Sequence, residues 1–446
     1  MLLFMASGIS PMSALAQGID YGTPTGTVVS GTQPTDFSTG TKTGGAIGTV
    51  VLNVKSAPYN GKGDGVTNDS NAIQAAINDA EGLGGAVYLP AGTWAFSALR
   101  VQGANCTIQG AGKDVTILKA VTGTAVTLVS FGGASEAPHS VIRDLTIDAS
   151  GATAGSNYAL LLYNSSSSEV ANIRVVNAYN IGIGFTSCRS LRIHDSVVEN
   201  SRNGQSILTN DSDCSGTTIS GCSVFNSARD AIQILRSAET VDHCYISGVD
   251  TQSSGNFAGI YVARGSTGAR RCTISNNVIR ACSSVGIDVS FGAGTSVNGP
   301  GASGPDESEG ITVIGNNCSN NSGGGISTAS NGTLIAKNIC RDNGSARKPN
   351  SFGIGVVDAK NVIIKENITG NSANVSAQKY GILFRHVHND PISATVVDND
   401  LRGNAAAPVI GQNNAKTPAA IPLATGIFAR NRGLDGALIK KSHKWD

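Results

Sequence analysis

Five side chains of this sequence are spaced so that they could act together. Gln233, Tyr261 and Asp288 each follow an isoleucine in a recurring short segment, and Arg236 and Arg264 stand three positions after Gln233 and Tyr261. A guanidinium fits a carboxylate through two parallel hydrogen bonds, so Arg236 and Arg264 are expected to hold or neutralise a ligand carboxylate. Tyr261 or Asp288 would then move a proton, provided its pKa is displaced to suit the task. Gln233 would bind beside them. The competing reading is that all five lie on a solvated strand face with no ligand.

The elements that would position them come from a repeat beginning after Arg143. One anchor is an aliphatic residue followed three positions later by Asn or Cys: Ile219 and Cys222, Val241 and Cys244, Ile274 and Asn277, Ile314 and Asn317, Ile335 and Asn338, Ile364 and Asn367, Val396 and Asn399. A second is a Gly-Ile strand, at Gly182, Gly259, Gly286, Gly325, Gly353 and Gly381. The shortest anchor spacing is 21 residues, from Ile314 to Ile335, and other coils carry insertions. A unit that small holds no core alone, so coils must stack and bury Ile and Val against their neighbours. The segments are β-branched and Gly-rich, which argues against helical repeats. The expected fold is all-β, a right-handed single-stranded parallel β-helix with a short N-terminal capping helix. Asn at a fixed turn can form a ladder, its amide bonding the next coil.

Aligning coils on Gly-Ile gives an outward row of Gly184, Gln233, Tyr261, Asp288, Ser327, Gly355 and Leu383, and Ser206 is assigned to it. Adjacent members would be about 4.8 Å apart. Asp230 is expected roughly 14 Å from Asp288 if both strands are extended, with Asp211 and Asp213 one coil further away. Cys222 and Cys244 occupy the ladder position as small fillers, and their stacking also falls within the Cα window of a disulfide.

The chain has 446 residues with 56 glycines, and Lys+Arg 32 against Asp+Glu 31 leaves a formal charge of +1. Charged residues are 14%, well below the usual ~25%. That balance gives no bulk electrostatic case for nucleic acid, and the apolar content excludes wholesale disorder. Nine scattered cysteines form no C-x-x-C pair, so no zinc or redox motif is indicated. No metal site is assigned, and no cofactor can be named. Leu2–Ile9 is a short apolar stretch followed by Ala14-Leu15-Ala16, an export leader pattern without the usual basic start. The domain reading is 1–16 leader, 17–50 Gly/Thr-rich lead-in, 51–404 β-helix and 405–446 C-terminal cap or tail. No segment reads as a membrane span.

The run Gly63-Asp64-Gly65-Val66-Thr67-Asn68-Asp69, then Ala72-Ile73-Gln74-Ala75-Ala76-Ile77, then Gly84 to Thr93 resembles the opening of the pectate-lyase-like β-helix superfamily. That superfamily includes rhamnogalacturonase-like and epimerase-like enzymes and phage tailspike depolymerases. Gln109-Gly110-Ala111-Gly112 before Thr116-Ile117-Leu118 is similar to its first coils, and the likeness covers roughly residues 51 to 400. The repeats also resemble twin-arginine-exported β-helix repeat proteins, whose arginine pair this sequence lacks.

The resemblance implies carbohydrate chemistry in a long shallow cleft along the stacked strands. The partner is then a polysaccharide with acidic sugars, whose uronate carboxylates Arg236 and Arg264 would hold. The expected function is an exported protein that binds such a polymer and cleaves or epimerises it. The alternative is a non-catalytic envelope or extracellular binding module. A simple hydrolase is disfavoured, because the two carboxylates it needs lie ~5–9.5 Å apart. His386, His388 and Asp390 do not follow the order of the Asp-Pro-His-Asp pattern of alginate epimerases. Asp306, Glu307 and Glu309 could bind calcium, but a short acidic run is usually solvated. Gly110–Lys113 is no phosphate loop, because Thr107 stands where the first glycine belongs.

Overall fold

The computed structural model describes residues 50–209, 214–250, 256–263, 269–290, 310–345, 350–373, 377–386, 392–413 and 425–434. From Val50 onward the chain is one compact unit. Successive coils build three parallel sheets of 14, 12 and 12 short strands. In one coil, Val141–Arg143 joins the first sheet, Thr146–Asp148 the second and Tyr158–Tyr163 the third. The next coil returns to the first sheet at Glu169–Ala171. This is the right-handed parallel β-helix the repeat predicts. Two strands beyond residue 404, Ala407–Asn413 and Thr425–Ala429, extend the third and first sheets.

The alternation of side chains fills the interior with aligned columns. Val170, Ile193, Ile219, Val241, Ile274 and Val313 stack in register and are at most 1% exposed. The helix Ser70–Leu83 closes one end, burying Ile73, Ala76, Ile77 and Ala80 in the same core. Asp69 precedes it, but its carboxylate does not cap the helix. It accepts instead from the Lys62 and Gly63 N–H groups at 2.8 and 2.9 Å, fixing the entering chain. Gly84 ends the helix in the left-handed region at φ 61°.

A two-residue turn links the first and second sheets. Its first residue is left-handed in coil after coil, at Asp144, Asn172, Asp195, His243, Asn276, Lys337, Glu366, Asp398 and Arg430. This bend drives the second residue inward. There Asn277, Asn316, Asn338, Asn367, Asn399 and Asn431 form a continuous amide ladder. Each Oδ1 from Asn316 onward accepts both the backbone N–H and the side-chain amide of the preceding Asn, at 2.9–3.0 Å. The same amides also donate to carbonyls of the preceding coil, as Asn338 Nδ2 does to Val313 at 2.9 Å. A second run, Asn321, Asn343, Gln378 and Asn404, lines the turn into the third sheet.

One expectation needs correcting. The ladder residue in its coil is Asn316, not Asn317, because Val313 is the inward aliphatic residue and Ile314 points out. Asn317 instead accepts from the Ser319 hydroxyl at 2.6 Å. Cys222 and Cys244 do extend the ladder column, but as free thiols rather than a bridge. The Cys244 N–H donates to Asn277 Oδ1 at 2.8 Å, and the hydrogen bond of its thiol with Cys222, together with burial, pushes its pKa well up.

Candidate functional site

The third sheet presents the row that carries the chemistry. Ile183, Ile207, Ile232, Ile260, Ile287, Ile326, Ile354 and Ile382 form its inward column and are 0% exposed. One residue further along each strand gives the outward row Gly184, Leu208, Gln233, Tyr261, Asp288, Ser327, Gly355 and Leu383. Gln233, Tyr261 and Asp288 are therefore consecutive neighbours in direct register. Ser206 is not in the row: it stands where other coils have the Gly of Gly-Ile, is buried, and bonds Ser201. Leu208 takes the outward place.

Three residues before this row lies a second outward position, occupied by Asp230, Ala258, Val285, Phe352 and Tyr380. The two positions pack against each other. Tyr158 and Phe352 place their rings where side chains at Gly184 and Gly355 would otherwise sit, which is why those residues lack a Cβ. Ala258, Tyr261, Val285, Phe352 and Leu383 form one apolar cluster.

Asp230 is the residue that sequence reasoning set aside. It is 5% exposed, and its Oδ1 accepts the Ala258 N–H at 2.7 Å. Burial pushes its pKa up to about 7. The Ala258 hydrogen bond and Arg229 oppose that rise, and the negative charge of Asp288 adds to it. The Asp230 side chain reaches toward the next coil, where it meets the Ala258 N–H. A carboxyl that is half-protonated near neutrality can either take or give a proton.

The other nominated residues are placed as follows. Gln233 is 6% exposed, and its Oε1 accepts from Gln205 Nε2 at 2.5 Å, which orients its amide. Tyr261 is 5% exposed. Asp288 is half-buried, with Oδ1 shielded from solvent. Arg236 is also half-buried, and its charge lowers the pKa of Glu239. Glu239 stacks between Thr217 and Cys272 inside the solenoid, 1% exposed, and accepts from the Thr209 hydroxyl at 3.0 Å. Burial pushes it up to about 8 against Thr209 and Arg236. Arg264, Asp211, Asp213, His388, Asp390 and the Asp306–Glu309 run lie outside the described residues, as does the leader. The side chain of His386 does too.

Asp230 and Glu239 left one signal in the sequence. Each is a carboxylate at a column position where the other described coils carry no charged residue.

Comparison with known proteins agrees with this architecture. Residues 230–419 match a family of right handed beta helix regions. Mannuronan C5-epimerase AlgE4 of Azotobacter vinelandii is 37% identical over 99 residues, 19% of this chain and 18% of that protein. Alginate lyase 7 of the same organism is 40% identical over 102 residues, 20% of this chain and 12% of that protein. The chain thus spans less than a fifth of the length of these curated relatives. The A-module of mannuronan C-5 epimerase AlgE6, also from Azotobacter vinelandii, shares the fold. Its TM-score is 0.67 at 20% identity, covering 86% of this chain and all of that module. Residues 51–288, more than half of the chain, match the Rhamnogalacturonase A/epimerase, pectate lyase-like family, and to that family the protein belongs.

Proposed function

We propose that the protein is exported, binds an acidic polysaccharide along the outer face of the third sheet, and cleaves or epimerises it by proton transfer at a uronate carbon. The observation that carries this reading is the in-register row Gln233, Tyr261 and Asp288, beside an Asp230 held near neutrality. The proton on the carbon next to a uronate carboxylate becomes acidic only when that carboxylate is neutralised, the role of Arg236 and Arg264. Tyr261 or Asp288 removes the proton and Gln233 orients the sugar. A proton returned to the opposite face, from a group such as Asp230, gives an epimer. Expulsion of the neighbouring glycosidic oxygen gives a lyase product. The epimerase and lyase names of the curated relatives support this class of chemistry. Export is supported by the apolar stretch before Ala14-Leu15-Ala16.

The test incubates the protein with a panel of acidic and neutral polysaccharides. Unsaturated-uronate absorbance, reducing ends and exchange of sugar protons with heavy water are followed together. Absorbance with new reducing ends identifies a lyase, and exchange without cleavage identifies an epimerase. Reducing ends alone would sink the proton-transfer reading in favour of hydrolysis. Binding with neither cleavage nor exchange would establish the non-catalytic module, a reading favoured by the near-complete shielding of Tyr261 and Gln233.

A further inference from the structure

Arg385 lies in the third-sheet strand Tyr380–His386, between Val357 and Gln412 in register. Ile382 and Phe384 of that strand are 0% and 1% exposed and point into the core. Alternation therefore turns Leu383 and Arg385 outward, onto the face that bears Tyr261 and Asp288. Arg385 is nevertheless only 7% exposed. Its Nε has no hydrogen-bond partner, and among the described residues no carboxylate pairs with it. Burial is the sole cause displacing its pKa, which is lowered. Two residues earlier on the same face stand Leu383 and, in register with it on the next strand, Ile410, both part of the outer-face apolar cluster.

Burying a charge without a partner costs several kcal/mol, and natural folds almost always supply one. The other described arginines with shifted pKa values, Arg174, Arg402 and Arg430, each hold a carboxylate. Arg385 stands apart from them. Its place in the fold is also informative. From Asp288 the outward row runs through Ser327 and Gly355 to Leu383, three coils or about 14 Å along the axis. A polymer lying along these coils with a carboxylate on every sugar would bring a second anionic group there while another occupies the row at Asp288.

We infer that Arg385 is a distal subsite that binds a uronate carboxylate of the polysaccharide, three coils from Asp288. The inference rests on the proposed function, and it selects polyuronates over neutral glycans. The planar guanidinium takes the carboxylate bidentately, and its burial keeps away the water that would weaken the pair.

The test is titration calorimetry with oligomannuronates and oligogalacturonates of increasing length, a neutral oligoglucan and inorganic phosphate. It uses the full chain, Arg385→Gln and Arg385→Lys. Wild-type protein should gain affinity once an oligouronate is long enough to reach from Asp288 to Arg385. Arg385→Gln should lose about tenfold or more on long oligomers, as expected for a charged hydrogen bond, and nothing on dimers. Arg385→Lys should fall between. The melting temperature of Arg385→Gln should hold or rise, since an unpaired buried charge is removed. Long-oligouronate affinity unchanged in Arg385→Gln would overturn the subsite while leaving the proposed function standing. So would a drop of several degrees in melting temperature, or Arg385-dependent binding of phosphate alone. Wild-type binding of the neutral glucan but of no oligouronate would remove both the acidic-polymer reading and the subsite.

Discussion

The amide ladder and the outer face of the third sheet treat buried polar groups in opposite ways. From Asn316 to Asn399 every inward amide is spent: its oxygen takes two donors and its nitrogen bonds a carbonyl and the next amide. Nothing is left for a ligand. On the third sheet, Asp230 and Arg385 are shielded from water with pKa values displaced by burial. The difference teaches that burial alone does not mark a site. Polar residues that repeat with the coil stabilise the stack, and the proposed function rests on polar residues that do not repeat.

Asn338→Ala strikes the ladder and should have the largest effect. It strips the acceptor from the Asn316 N–H and amide, and removes donors to Val313 and Asn367. Unsatisfied buried groups cost about 1–3 kcal/mol each, so a loss of about 4 kcal/mol by chemical denaturation is expected, with polyuronate affinity of the folded fraction unchanged. A cost under about 1 kcal/mol would mean the ladder is not a closed network.

Asp288→Asn and Tyr261→Phe should do the reverse. Turnover should fall about 100-fold or more, while melting temperature moves little. Stability loss without activity loss in either variant would erase the contrast between the two regions.

The third prediction concerns protons. Asp288 raises the Asp230 pKa, so Asp288→Asn should lower it, read from the carboxyl carbon shift of Asp230 in an NMR titration. An unmoved titration would show that the two carboxylates do not communicate. Stability should depend on pH as well. Asp230 and Glu239 titrate at about 7 and about 8 in the folded chain, above the ordinary carboxylate values of 3.8 and 4.5. The folded state therefore holds protons that the unfolded chain has already released. Stability should be greatest below that window and fall as pH rises from the ordinary range through 7 and 8. Glu239→Gln should flatten the upper part of the decline in melting curves.

The smallest effect belongs to the exposed ion pair of Arg430 with Asp398, at 2.6 Å. Arg430→Ala should leave the melting temperature within error, because solvent and salt screen such pairs.

What could be read from the sequence divides along the same line. The stacked coils and most of the ladder followed from a period that repeats many times, so single ambiguities were outvoted. Where one coil offered two frames, the pattern slipped. Ile314-Gly315-Asn316-Asn317 contains two candidate ladder residues, and Gly204-Gln205-Ser206 imitates the Gly-Ile anchor that Ser206-Ile207 actually supplies. The row of Gln233, Tyr261 and Asp288 was legible because alternation alone sets it. The conditions that make Asp230, Glu239 and Arg385 unusual were not, since they arise from depth of burial. That depth is a property of the assembled stack, not of any local run of residues.

The nine buried thiols have a further use. They are distributed along the solenoid from Cys106 to Cys340, and burial pushes Cys106, Cys214 and Cys272 up to about 12. Only the thiolate is alkylated, so each cysteine stays silent until its own coil opens. Timed labelling followed by peptide mapping would turn them into a row of independent clocks. Their order of ticking would show whether this one-dimensional stack unravels from an end or breaks in the middle.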